Sequence, residues 1–203
     1  MYIPKHFAPT DEAAKAFLST IDSAHLVTNT SEGLKSTFLP VIYQADSNVI
    51  VGHLSRGNDQ WKLPSMGESL LIATTDDSYI SPSWYATKQL THKVVPTWDY
   101  LTAHVYGQLV IHDDVDWLRI QVTALSNKFE SRREIPWKVE DAPEDYMQAQ
   151  LRGIVGIELK ITRIEVSFKM SQNKTPEDLD GVIAGLTADG NSAFADKIKG
   201  LKN

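Results

Sequence analysis

Short apolar and β-branched runs, separated by turn residues, constrain the fold of this chain more than any other feature of its sequence. Three such runs occupy 24–29, 35–43 and 48–54, and the segments 31–33 and 45–48 divide them. Ser, Asp, Asn and Gly favour tight turns, whereas β-branched runs of this length favour strands. The pattern predicts an antiparallel meander.

Two longer segments have the alternating pattern of strands. Within 101–111 the odd positions are apolar or small, and the even positions place His104, Tyr106 and Gln108 on one face. Within 155–168 the parity of the apolar positions changes near Thr162, which indicates a bulge or bend. With a shorter apolar run over 69–74, these segments predict three further strands.

Helical patterns surround the strands, over 11–22, 115–129, 143–151 and a tail that opens at Thr175-Pro176. Several antiparallel strands must cover their edges, and closure into a barrel does so, whereas a flat open sheet would leave edges exposed. The sequence therefore predicts a β-rich α+β fold. We expect a barrel domain over 1–168 and a helical extension over 169–203, packed on the same domain.

Composition excludes several classes of function. The 203 residues contain no cysteine, which excludes disulfides, thiolate metal sites and a cysteine nucleophile. The formal charge of −6 argues against a broad nucleic-acid surface. The six histidines are scattered, so no metal site is predicted, and no dinucleotide, P-loop, nucleophile-elbow or zincin motif occurs. No apolar segment reaches the length of a signal peptide core or membrane span, so a soluble cytoplasmic protein without membrane contact is expected.

Four segments combine polar and aromatic residues more densely than packing requires: 52–61, 79–85, 94–100 and 169–174. Arg, Lys, Ser and Asn at strand ends offer donors to a phosphate or carboxylate, and Tyr and Trp offer a surface for a planar ring. Each segment also has a purely structural interpretation, as a solvated loop, a plug for the barrel end, a lid on the core or a polar turn. These segments contain no pairing of a nucleophile with a base, so no catalytic residue is predicted.

Five segments, taken in order, resemble the PaiB family: MYIPKHF (1–7), GHLSRGN (52–58), YISPSWY (79–85), VPTWDY (95–100) and KMSQN (169–173). The similarity continues into the tail, DGVIAGL (180–186). The resemblance implies an FMN-binding split β-barrel, similar to pyridoxamine-phosphate oxidase and flavin reductases. It also implies a homodimer with flavin at the subunit interface, and a role as a negative transcriptional regulator.

The candidate residues for binding FMN come from the segments that carry this resemblance. They are His53, Arg56, Asn58, Tyr79, Ser81, Trp84, Thr97, Trp98, Lys169, Gln172 and Asn173. The family commonly has proline and asparagine where this chain has Asp59 and Asp99, and either acid would weaken phosphate binding if it faced the site.

Several functions are compatible with these residues. The first hypothesis is a flavin-binding regulator or redox sensor that acts through a partner protein. A regulatory function is therefore preferred to an enzymatic one. The alternatives are a flavin-dependent oxidoreductase or flavin reductase, a DNA-binding repressor without cofactor, and a haem-binding barrel. The face that bears Trp98, Tyr100, His104 and Tyr106 is the predicted part of the dimer interface.

Overall fold

The computed structural model describes residues 1–200 and contains six strands: β1 (Ser23–Thr30), β2 (Gly33–Gln44), β3 (Val49–Ser55), β4 (Ser69–Ile80), β5 (Thr97–His112) and β6 (Ile154–Lys169). The strands close into a barrel in the hydrogen-bonding order β1-β2-β3-β6-β5-β4. The predicted β-rich barrel is thereby confirmed.

The meander of β1, β2 and β3 is confirmed in detail. Val27 of β1 lies opposite Ser36 of β2, and Ile42 of β2 lies opposite Val51 of β3, in antiparallel register. The β1–β2 turn requires glycine, because Gly33 has a φ of 100°. Turn chemistry and alternation together set this register.

Within residues 1–200, six α-helices connect or flank the strands: α1 (Asp11–Thr20), α2 (Thr87–Thr91), α3 (Val115–Glu130), α4 (Glu144–Arg152), α5 (Pro176–Ala188) and α6 (Ser192–Lys199). Side chains cap two of the predicted starts. Asp114 accepts a hydrogen bond from Trp117 N at the start of α3, and Thr175 accepts one from Asp178 N at the start of α5. Short 310 helices lie at Asp59–Trp61 and Pro82–Trp84, among other places.

Two strands extend well beyond a predicted end, whereas the others differ from their predicted bounds by only one or two residues at each end. β4 continues from Thr74 to Ile80 through Asp76, Asp77 and Ser78, which resemble a turn in sequence. β5 begins at Thr97 rather than at 101. Both extensions lie in strands whose neighbours come from distant parts of the sequence, and this pairing overrides local propensity.

The chain forms two compact units. The first consists of Met1–Asp11, Thr74–Ala103 and the described residues from Val166 onwards, and the second of Glu12–Ala73 and His104–Glu165. The division into 1–168 and 169–203 stays a prediction, and its residues 201–203 lie outside the described part of the chain. Over residues 1–200, no helix is both long and apolar enough to cross a membrane.

Each unit has its own core. In the second unit it includes Leu18, Leu26, Ile50, Leu118 and Ile157, each at most 1% exposed. In the first unit it includes Ile80, Tyr85, Val182, Leu186 and Phe194, each at most 2% exposed. The ends of strands and the loops beyond them hold the candidate site residues.

Candidate functional site

Arg56, at the turn after β3, is held by several other segments of the second unit. Its guanidinium makes a two-point contact with Asp113, in which Nη1 donates to Oδ2 at 3.0 Å and Nη2 donates to Oδ1. Nε donates to Arg152 O at 2.6 Å, and Nη2 also donates to Ile154 O at 3.0 Å. The Arg56 guanidinium holds the pKa of the Asp113 carboxyl below its ordinary value. Arg56 thus connects β3 to the start of α3 and to the α4–β6 turn.

Asn58, two residues later, belongs to a network of amide and hydroxyl groups. Its Oδ1 accepts from Gln60 N at 2.8 Å, and its Nδ2 donates to Thr37 Oγ1 at 2.8 Å. Thr37 Oγ1 in turn donates to Gln60 Oε1 at 2.6 Å, and Gln60 is only 2% exposed. Satisfied networks of this kind hold a turn in one conformation. Asn58 therefore fixes the 310 helix that follows the turn.

His53 lies inside β3 and contacts α3. Its Nδ1 is 2.9 Å from Oε1 of Gln121, a residue that is 3% exposed. The structure thus brings His53, Arg56 and Asn58 together on one strand end and turn, with each polar side chain engaged by a residue of the second unit.

A cavity of about 400 Å³ lies beside this turn, entirely within the second unit. Trp61 is one of the lining residues, and its Nε1 donates to Arg56 O at 3.1 Å. Lys62 and Gln108 bring polar groups to the cavity. The other lining residues are Gln60, Leu63, Pro64, Ser65, Gly67, Leu109 and Ile111, of which Gln60 and Ser65 are polar.

The chemistry of this lining fits a flavin. An isoalloxazine ring needs a flat apolar wall and a few donors or acceptors at its polar edge, which an indole and a primary amide supply. A ribityl phosphate needs a cation, and Lys62 is the one charged side chain among the ten lining residues described. Those ten residues include no histidine, so haem would lack its usual axial ligand there.

Tyr79 and Trp98 meet in the first unit. Their rings pack edge to face with centroids 6.2 Å apart, and Trp98 Nε1 donates to Asp77 Oδ1 at 2.9 Å. A second cavity, of about 380 Å³, is lined by Trp98 together with Met1, Thr74, Asp77, Tyr100 and Thr102. The role of Tyr79 and Trp98 as a flavin wall stays a prediction.

Ser81 precedes the 310 helix that follows β4, and Trp84 is the last residue of that helix. Ser81 accepts from Ser83 N at 3.2 Å and so caps this helix. Trp84 packs against α5 so closely that a Cβ on Gly185 would lie 2.2 Å from its ring, and one on Gly181 would lie 1.8 Å from its carbonyl oxygen. This contact gives Trp84 a packing role in the first unit.

Lys169, at the end of β6, reaches the beginning of β5. Its ammonium donates to Thr97 Oγ1 and to Trp98 O, and lies 3.9 Å from Asp99 Oδ1. Burial lowers the pKa of Lys169. Asp99 itself is fully buried, and its Oδ2 accepts from Ser171 Oγ at 2.5 Å. Thr97, Trp98 and Lys169 are therefore brought together, and Asp99 is turned away from the surface.

The last two predicted residues follow β6. Gln172 folds back on its own turn, where Nε2 donates to Phe168 O and Oε1 accepts from Met170 N at 2.7 Å. Asn173 is exposed. The predicted site residues therefore form one group in the second unit and another in the first.

Comparison with known proteins identifies the relatives of this chain. Residues 1–163 match the family described as "Putative FMN-binding domain". Over 190 residues the chain is 32% identical to "Protease synthase and sporulation protein PAI 2" of Bacillus subtilis, which is PaiB, covering 92% of this chain and 89% of that protein. The chain belongs to the PaiB family. A protein of Emericella nidulans is 39% identical over 188 residues, 75% of each chain.

Solved structures share the PaiB-family fold of this chain. A conserved hypothetical protein of Mycobacterium tuberculosis superposes with a TM-score of 0.61 at 9% identity, over 86% of this chain and 94% of that one. The "FAD and Heme binding protein from Mycobacterium smegmatis" superposes with a TM-score of 0.60 at 14% identity, over 87% of this chain and 80% of that one. These likenesses show the fold, and the predicted split barrel is confirmed.

Sequence reasoning missed the residues that line the larger cavity of this PaiB-family chain. Trp61 is interpretable from sequence as a cap on the core, and Lys62 as an ordinary surface residue. Gln108 did give a signal, because it falls on the polar face of the alternating 101–111 segment. The cavity residues all lie within the family match over 1–163, whereas Lys169, Gln172 and Asn173 lie outside it.

The carboxyl group of Asp99 is fully buried, and its burial predicts a pH-dependent stability. Burial raises the pKa of Asp99 to about 6, although Ser171, Lys169 and Lys174 act in the opposite direction. Between its unfolded pKa of 3.8 and about 6, the folded state retains a proton that the unfolded state has lost. Stability from this group is therefore present at low pH and is lost as the pH rises through about 6.

Asp99→Asn is expected to raise the free energy of unfolding at pH 8 by about 2 kcal/mol, because it removes a buried charge and retains an acceptor for Ser171. Urea unfolding of both proteins from pH 4 to pH 8 measures this difference. The gain should be near zero at pH 4. A gain independent of pH would contradict the assignment of the titration to Asp99.

Proposed function

We propose that the protein binds FMN in the cavity of the second unit. In this proposal it acts as a PaiB-like negative transcriptional regulator, or as a redox or ligand sensor, through a partner protein. The observation that carries the proposal is a cavity whose lining residues include Trp61, Gln108 and Lys62. Bound FMN would supply reversible one- and two-electron redox chemistry, which no side chain of this chain provides.

Each lining group has a distinct task in this proposal. The Trp61 indole stacks on the ring, and its hydrogen bond to Arg56 O holds it in place before the ligand arrives. The Gln108 amide, on the exposed part of β5, both donates and accepts at the polar edge of the ring. Leu63, Leu109 and Ile111 exclude water from the rest of the ring.

The charge balance supports an indirect route to regulation. Binding to DNA draws much of its affinity from Lys and Arg contacts with phosphates, and this chain has 20 basic against 26 acidic residues. A partner protein that recognises the flavin-bound form does not require a basic surface on this chain.

A homodimer remains the expected oligomeric state. Light scattering during size-exclusion chromatography measures the molar mass, and the mass of a monomer would contradict this expectation.

The visible absorption spectrum of the purified protein, followed by titration with FMN, tests the proposed binding. We expect a flavin spectrum or, for a colourless preparation, saturable binding with a Kd below about 10 μM. Absence of saturable binding to FMN, FAD and riboflavin would refute flavin binding.

Two further assays separate the proposed role from other functions of the same fold. We expect no sustained turnover of NADH or NADPH with the FMN-loaded protein, and steady turnover would make it a flavin reductase. We also expect no sequence-specific, salt-dependent DNA binding by the pure protein. Such binding would contradict the indirect route.

A further inference from the structure

Arg56, one of the residues predicted to hold the phosphate or the polar edge of the flavin, has few donors left for a phosphate. A guanidinium has five N–H donors. Four of them are used: one on Arg152 O, two on the carboxylate of Asp113 and one on Ile154 O. The one donor left, on Nη1, allows a single contact, so a phosphate could make a two-point contact with Arg56 only by displacing Asp113 or a backbone carbonyl.

The ammonium of Lys62, unlike the guanidinium of Arg56, has most of its hydrogen-bonding capacity left for a ligand. Lys62 lines the cavity, and its ammonium has one close ionic partner, Asp59 Oδ1 at 2.6 Å. Both side chains of this pair are largely in solvent, at 48% and 68% exposure. Exposed pairs of this kind are weak, so a doubly charged phosphate can compete with Asp59 for the ammonium.

Asp59 stays charged in this competition. Its hydrogen bond from Lys62 lowers the pKa of its carboxyl below the ordinary value, and the Lys35 charge acts in the same direction. At neutral pH the carboxylate therefore always opposes an incoming phosphate, both by its charge and by occupying the ammonium.

We infer that Lys62, rather than Arg56, contacts the phosphate of the bound flavin, and that Asp59 competes with that phosphate for the Lys62 ammonium. This inference rests on the proposed function. Arg56 is then a positioning residue that holds the turn and the Trp61 wall. The Asp59–Lys62 pair sets how strongly the site distinguishes FMN from riboflavin, which has the same ring and no phosphate.

The test is the ratio of the riboflavin Kd to the FMN Kd in the full-length protein and its variants. Lys62→Met is expected to weaken FMN binding about tenfold and to leave riboflavin binding within about twofold, because one charge-assisted contact is lost. Asp59→Asn is expected to strengthen FMN binding about threefold, again with riboflavin unchanged. Asp113→Asn is expected to leave the ratio unchanged.

A matched pair of control variants exists on α6. Asp196 and Lys199 form an ion pair with the same three-residue spacing, at 2.8 Å and with 69% and 55% exposure, and neither lines the cavity. Asp196→Asn and Lys199→Met are expected to change neither Kd. Similar effects from these variants would show that net charge, rather than Lys62, determines the preference for FMN.

The outcomes separate this inference from the proposed function. If neither riboflavin nor FMN bound the wild type or any of the variants, flavin binding itself would be refuted. Binding of both ligands with an unchanged ratio in Lys62→Met would overturn the role of Lys62 alone. A rise in the ratio for Asp113→Asn would return the phosphate contact to Arg56, since this variant frees donors of the guanidinium.

Discussion

Replacing Arg56 with alanine is expected to weaken the binding of FMN and of riboflavin equally, by at least about tenfold, and to lower the urea midpoint of unfolding. The substitution leaves Arg152 O and Ile154 O without their guanidinium donors. It also releases the turn whose carbonyl holds the Trp61 indole. Loss of a fixed wall lowers affinity because the ligand must then order it.

Arg56→Lys is the informative companion of this variant. A lysine retains the positive charge but cannot reproduce the planar fork on Asp113 and the two carbonyls. It is therefore expected to bind flavin nearly as weakly as the alanine variant. Isothermal titration with both ligands measures these effects. Loss of FMN binding alone, with riboflavin unaffected, would contradict a positioning role for Arg56.

Gly181→Ala is expected to lower the free energy of unfolding by about 3 kcal/mol, the largest effect on stability that we predict. The new methyl group would lie 1.8 Å from Trp84 O, and this atom belongs to the backbone and cannot rotate away. Helix α5 must then move off the 310 helix at Pro82–Trp84. Urea unfolding measures the loss.

Gly200→Ala, at the end of α6, is the control for this substitution. No described atom lies within 4 Å of the position of its Cβ, and it is expected to change stability by less than about 0.5 kcal/mol. If Gly181→Ala were as stable as this control, α5 could not approach Trp84 as closely as the structure places it. The packing role of Trp84 would then be lost as well.

Local patterns in the sequence were sufficient to predict most of the fold. The meander follows from turn residues between β-branched runs, and the start of α5 follows from Thr175 as a cap with Pro176 after it. The extension of β4 through Asp76 and Asp77 was not predictable, because strand pairing with distant residues stabilises it against local propensity.

The candidate site was only partly predictable, for a related reason. Arg56 has the side chain of an anion ligand, and sequence alone cannot show that carbonyls of Arg152 and Ile154, almost 100 positions later, use its donors. Asp99 likewise reads as an added surface charge, whereas the structure buries it against Ser171. Long-range partners decide the role of both residues, and such partners have no local signature.

FMN titration of the wild type, Trp61→Leu and Trp98→Leu shows which of the two cavities described above binds the flavin, because each variant removes the tryptophan from one of them. If the flavin binds in the second unit, Trp61→Leu weakens FMN binding by at least about tenfold, through the loss of stacking, and Trp98→Leu leaves it within about twofold. The opposite result, a loss of FMN binding confined to Trp98→Leu, would contradict binding in the second unit and place the flavin in the cavity of the first unit.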